Sequence, residues 1–187
     1  MAHRIIILAS GTGTLAQSII DSDELDIEIV AVMSDKHDAD VLNRAQSAGI
    51  NTEVIAVESS RELWNTQIIA KVASYNPDLV ISAGFMRVLP PDFVNRFPTI
   101  NSHPALLPDF PGAHAVRDAL DAGVSVTGTT VHWVDDGVDT GPIITQMQVP
   151  VLPGDDEVSL HERIKKVERG LIVATIALIL PTLERHV

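Results

Sequence analysis

Apolar and polar residues fall in blocks along this chain, and the period changes from block to block. Residues 3–9 hold the run Ile5-Ile6-Ile7-Leu8-Ala9, rich in β-branched side chains. A run with no polar face reads as a central parallel strand covered on both sides. Further strands are predicted over 27–33, 53–57, 79–83 and 99–102, and a pair over 127–134 and 143–149. Helical patterns lie between them. The first has Leu15, Ile19 and Ile20 on one side, and the second spans 38–48 with Gly49 as its stop. A third helix opens at a capping pair, Ser59 with Glu62, and runs to about residue 75, before Pro77. Residues 115–122 form another, closed by Gly123, and 158–183 are mostly helix, with an interruption expected at Gly170. Pro90-Pro91 and the stretch with Pro104, Pro108 and Pro111 read as turns. Strands alternating with helices at this spacing predict an α/β fold, a Rossmann-like doubly wound, mostly parallel sheet with helices on both faces and right-handed crossovers. No repeat or linker divides residues 1–187, so one domain is expected.

Composition narrows the function. The 187 residues are 45% hydrophobic and 20% charged, enough to bury a core. Thirteen basic against 25 acidic side chains leave a net charge of −12, which argues against nucleic acid or an anionic membrane as partner. A small phosphorylated substrate needs only a local cluster of donors and stays in play. With no cysteine, disulfides, zinc–thiolate sites and a catalytic thiol are excluded. The N-terminus does not read as a signal peptide, and the longest apolar run, 171–180, is half of a membrane span, so a cytoplasmic protein is expected.

Candidate chemistry sits mainly where predicted strands end. Ser10-Gly11-Thr12-Gly13-Thr14 joins the first strand to the first helix, and its glycines allow a sharp turn close to an anion. Read alone, Gly11-x-Gly13-x-x-Ala16 also matches a dinucleotide turn, with Asp35 placed to hold a ribose. In Asn101-Ser102-His103-Pro104 the first and third side chains share one side of a strand, so an amide and an imidazole can address one reacting oxygen. Asp135, Asp136 and Asp139 lie in a glycine-containing loop. They are solvated turn residues, or one of them orients a histidine; they lack the further ligands of a metal site, and no metal is expected. Phe85-Met86-Arg87-Val88-Leu89 follows a strand and is either core or the wall of a flat pocket. His114 and His132 read as structural or as supports behind the site residues, and Lys165 with Glu168 as an ion pair on one helix face.

The order of these segments is more specific than any of them. Ser10-Gly11-x-Gly13-Thr14, Ala83-Gly84-Phe85-Met86-Arg87, Asn101-Ser102-His103-Pro104-Ala105-Leu106-Leu107-Pro108, Pro111-Gly112, Gly128-Thr129-Thr130-Val131-His132 and Asp139-Thr140-Gly141-Pro142 together resemble the folate-dependent formyltransferase family. The glycine loop, which suits a ribose phosphate, selects the phosphoribosylglycinamide formyltransferases within it. The resemblance covers nearly the whole chain and implies the formyltransferase fold. It also implies formyl transfer from 10-formyltetrahydrofolate, as co-substrate, to the amine of 5′-phosphoribosylglycinamide in purine synthesis. By the same resemblance Asn101, His103 and Asp139 are catalytic. Gly11, Gly13, Thr14, Leu15, Lys165 and Glu168 face phosphoribosylglycinamide. Arg61, Met86, Arg87, Val88, Leu89, Asn101 and the loop Asp135, Asp136, Gly137, Val138 and Asp139 face the folate. Leu15 stands where many members have Asn. The implied partners are these two small molecules, with a homodimer left open. The rival readings are a dinucleotide-dependent oxidoreductase, a methionyl-tRNA formyltransferase, which needs an RNA-binding domain and a basic surface, a formyltetrahydrofolate hydrolase, which needs a regulatory domain, and a non-catalytic binding module, which requires that His103 or Asp139 fail to reach the site.

Overall fold

The structure, a computed structural model, describes residues 2–58 and 60–183. Its elements in chain order are β1 (His3–Leu8), α1 (Thr14–Ile20), β2 (Ile27–Ser34), α2 (Asp40–Ser47), β3 (Thr52–Val54), α3 (Arg61–Ser74), β4 (Leu79–Ser82), α4 (Pro91–Val94), β5 (Thr99–His103), α5 (Ala115–Asp121), β6 (Val126–Trp133), β7 (Ile143–Pro150) and α6 (Glu157–Ile179). The strands form one sheet in the order β3-β2-β1-β4-β5-β6-β7. β1 to β5 run parallel, and β6 and β7 add antiparallel to one edge.

β1 shows why an unbroken apolar run was needed. Ile5 and Ile7 face a core with Ala16 and Ile19 of α1, Val41 and Ala45 of α2, and Ile172 and Ile176 of α6. Ile6 and Leu8 face the other way, onto Trp64, Ile68 and Val72 of α3 and Phe93 of α4. Each side chain, fully removed from water, contributes roughly 1.5–3 kcal/mol. Among the described residues, no helix is long and apolar enough to cross a membrane.

Four local expectations change. The ladder of β3 ends at Val54 rather than at residue 57. Ile55 O accepts from the buried indole Nε1 of Trp64 at 2.7 Å, so the chain turns toward α3 instead of continuing the ladder. The expected capping partner Ser59 lies outside the described residues; Ser60 is the N-cap of α3, and its Oγ accepts from Leu63 N. Gly170 does not interrupt α6. It lies on the exposed side, while Glu168, Leu171 and Ile172 keep the buried face continuous, so the helix bears only the glycine propensity cost of about 1 kcal/mol. The Pro90-Pro91 turn also contains a short helix, α4, which has Pro91 in its first turn.

The chain leaves β1 in one direction to build β2 and β3, then returns to place β4 on its other side. At such a reversal the connections diverge and leave a crevice outside the carboxyl ends of the strands.

Candidate active site

A cavity of about 540 Å³ fills that crevice. One end is the turn after β1. Gly13 has φ +73°, and a Cβ there would stand 2.5 Å from Val41 Cγ2, so both conformation and packing demand glycine. The turn's carbonyls are engaged within the protein: Gly11 O accepts from Val41 N, Thr12 O from Arg44 Nε and Gly13 O from Gln17 N. Among the described residues, no side chain caps the start of α1. Gly11, Gly13, Thr14 and Leu15 therefore line the cavity with acceptors drawn away and helix-start donors left over.

The middle of the cavity is built on β5. Its pleat puts Asn101 and His103 on one side. His103 Nδ1 is 3.3 Å from Asp139 Oδ2, and Nε2 is 2.8 Å from Phe110 O. Both partners are acceptors, so the ring donates at both ends only when doubly protonated. Asp139 Oδ2 also accepts from Gly112 N at 2.8 Å, and Oδ1 lies 3.5 Å from His132 Nε2. Burial raises the Asp139 pKa, but the hydrogen bonds from His132 and Gly112 and the positive field of the two histidines outweigh it, so the carboxyl sits below its ordinary value. Asn101 Nδ2 is 3.3 Å from His132 Nε2 and 3.4 Å from Asp139 Oδ1.

Two loops close the apolar end. Residues 84–89 are pinned from three directions. Ser10 Oγ accepts from Met86 N at 2.8 Å, Asp35 Oδ2 accepts from Arg87 Nε at 2.7 Å, and Val88 O accepts from Arg61 Nη2. The loop after β6 is wound on Asp135, whose Oδ1 accepts from Gly137 N and Thr140 Oγ1. A Cβ on Gly141 would meet Trp133 O at 1.8 Å. This winding carries Asp139 into the left-handed region, φ +54°, and turns its carboxylate inward.

The last wall is α6. Lys165 and Glu168 both line the cavity, but they do not pair as expected: Lys165 Nζ bonds Glu162 Oε1 at 2.7 Å. Glu168 is buried and accepts from Ser102 Oγ at 2.9 Å. Burial pushes its pKa up, against the pull of Ser102, Thr129, Lys165 and Arg169.

With this geometry in place, comparison with known proteins is specific. A model of the formyl transferase family matches residues 3–176. The chain belongs to the formyl transferase family. It is 52% identical over 180 residues to the phosphoribosylglycinamide formyltransferase of Mycobacterium tuberculosis, covering 93% of this chain and 83% of that one. It is 42% identical over 185 residues to the trifunctional purine biosynthetic protein adenosine-3 of Drosophila melanogaster, covering 94% of this chain and 14% of that larger one. The crystal structure of glycinamide ribonucleotide transformylase 1 from Symbiobacterium toebii superposes with a TM-score of 0.90 at 40% identity, covering 94% of this chain and 86% of that one.

Within this formyl transferase fold, the cavity brings together most residues singled out from sequence. Asn101, His103 and Asp139 meet at its centre, and Met86, Arg87, Val88, Leu89, Asp135, Gly137 and Val138 line the apolar end. Two expected residues do not reach it. Arg61 spends its guanidinium on the Val88 carbonyl and on the Trp64 ring, 4.6 Å from the centroid, so it braces the loop from behind. Asp136 is exposed, because the turn that aims Asp139 inward aims Asp136 out. His132, expected to be structural or a support behind the site residues, touches both Asn101 and Asp139. The register Asn101 to His132 across β5 and β6 creates that contact, and antiparallel register between distant segments leaves no local sequence signal. Lys36 and His161 also line the cavity and were not singled out.

Proposed function

We propose that the chain transfers the formyl group of 10-formyltetrahydrofolate to the primary amine of 5′-phosphoribosylglycinamide, a step of purine synthesis. The observation that carries this reading is the meeting of Asn101, His103 and Asp139 midway along one cavity. The glycine turn lies at one end and the apolar 84–89 loop at the other. The turn's free donors suit a phosphate, and the apolar end suits a flat heteroaromatic ring. The names of the relatives point to the same reaction.

In this mechanism the amine nitrogen attacks the formyl carbon and charge develops on the formyl oxygen. Asn101 and His103 donate hydrogen bonds to that oxygen. His103 Nε2, which now bonds the Phe110 carbonyl, already meets an oxygen acceptor of this kind. The long bonds of the Asn101 amide are readily exchanged for a stronger one to an oxyanion. The bond from the formyl carbon to the folate nitrogen breaks, and the proton leaving the new ammonium goes to that nitrogen by way of His103. The products are the formylated amine and tetrahydrofolate, with no covalent enzyme intermediate. Losing one preorganised donor to an oxyanion costs about 2.7–4 kcal/mol, and acid–base help is worth roughly 10²–10⁴-fold.

The dinucleotide reading loses its support at Asp35. That side chain is fully buried and holds Arg87, and it does not line the cavity. The decisive experiment is an absorbance assay of formyl transfer with and without phosphoribosylglycinamide, on wild type and His103→Ala. Turnover that requires the amine and collapses in the variant supports the proposal. Folate consumption without the amine indicates a hydrolase, and no consumption together with NAD(H) binding restores the oxidoreductase.

A further inference from the structure

The middle residue of Asn101-Ser102-His103 points away from the catalytic pair, because side chains alternate along β5. It is 7% exposed. A serine gains little from burial in a strand and loses water, so a hydroxyl there calls for a polar partner. That partner is Glu168: Ser102 Oγ donates to Glu168 Oε1 at 2.9 Å. Thr129 Oγ1 of β6, fully buried, stands 3.5 Å from the same oxygen and 3.5 Å from Ser102 Oγ. Two strands thus converge on one oxygen of one carboxylate. Oε2 carries none of these bonds. Ser102, Lys165 and Glu168 all line the cavity that holds His103.

We propose that Ser102 is a positioning residue, whose hydroxyl clamps Glu168 Oε1 so that Oε2 is presented to the donors of phosphoribosylglycinamide, its amine or its ribose hydroxyls. The proposal rests on the reading that Glu168 contacts this substrate. A glutamate has three rotatable bonds, and fixing it before the substrate arrives removes that ordering cost from binding. The hydroxyls also favour the ionised carboxylate against its burial. The charged groups acting on it are Lys165 and Arg169, both on α6, while Ser102 of β5 and Thr129 of β6 face it from the sheet.

The test uses Ser102→Ala, Ser102→Thr, Glu168→Gln and the double variant Ser102→Ala/Glu168→Gln in steady-state formyl transfer. Ser102→Ala is expected to raise KM for phosphoribosylglycinamide about tenfold, since bonds to charged groups are the stronger kind. KM for 10-formyltetrahydrofolate stays unchanged. Ser102→Thr, which keeps the hydroxyl, restores the first KM. In the Glu168→Gln background the same Ser102→Ala change adds little. Equal rises in both KM values, or an undiminished effect in the Glu168→Gln background, overturn the proposal and make Ser102 a packing residue. A carbon-detected NMR titration of the Glu168 carboxyl gives an answer that does not depend on turnover. Its midpoint rises in Ser102→Ala if the clamp exists, and an unmoved midpoint overturns it. If wild type fails to formylate the amine while the titration still shifts, the functional reading has failed and the clamp has not.

Discussion

Asp139 and Glu168 are buried carboxylates with opposite displacements, and the difference is in what surrounds them. Asp139 gathers donors on both oxygens, from Gly112, Asn101 and the two histidines. Its pKa is lowered, so its contribution to stability is present above its unfolded-state value of about 3.9 and is lost as pH falls through the folded one. Asp139→Asn is expected to melt below wild type at pH 7, with the gap closing on acidification. The same variant should lower kcat by about 10²-fold or more while changing both KM values little, because it removes the partner of the proton-transfer group. Glu168 works with the other sign. Its pKa is raised, so stability is highest where it is protonated and falls as pH rises through the folded value. Glu168→Gln should therefore melt above wild type at pH 8 and converge with it in acid, even as it weakens substrate binding. Melting curves from pH 3 to 8 test both signs at once.

Two glycines give opposite predictions because their elements use them differently. Gly13 joins β1 to α1 with a left-handed φ and touches α2 through Val41. Gly13→Ala should cost on the order of 1–3 kcal/mol for the strained backbone alone, more with the displaced Val41, and should abolish phosphate competition in a binding assay. Gly170 sits on the exposed side of α6, and a Cβ there meets nothing within 4 Å. Gly170→Ala should stabilise by about 1 kcal/mol, which for a chain of this size is about 2–4 °C in Tm, with kinetics unchanged. A Tm that falls instead would mean that the glycine is needed for something other than helix continuity. β5 is the most heavily used element. One face supplies Asn101 and His103, the other supplies Ser102, and its register with β6 delivers His132.

The whole molecule carries −12 yet is read as binding two anionic ligands. The cavity answers with Lys36, Arg87 and Lys165, two of which are already tied to Asp35 and Glu162. Recognition then falls to short-range donors, and kcat/KM should change by less than about threefold between low and high salt. A steep fall would mean that long-range attraction captures the substrates. The chain's apolar periodicity determined the parallel sheet and its helical covers, because a strand buried on both faces has no polar position to spare, as Ile5 to Leu8 show. Local chemistry likewise marked the glycine turn and the Asn101–His103 pair, since both depend on neighbours within a few residues. Tertiary structure alone decided that Arg61 braces a loop, that Asp35 is the counter-charge of Arg87, and that His132 and Ser102 meet Asp139 and Glu168. Apart from His132 with Asp139, close neighbours in the chain, those contacts join residues 27 to 66 positions apart. They arise where strand order and register bring distant segments together, and no period within a single segment encodes that.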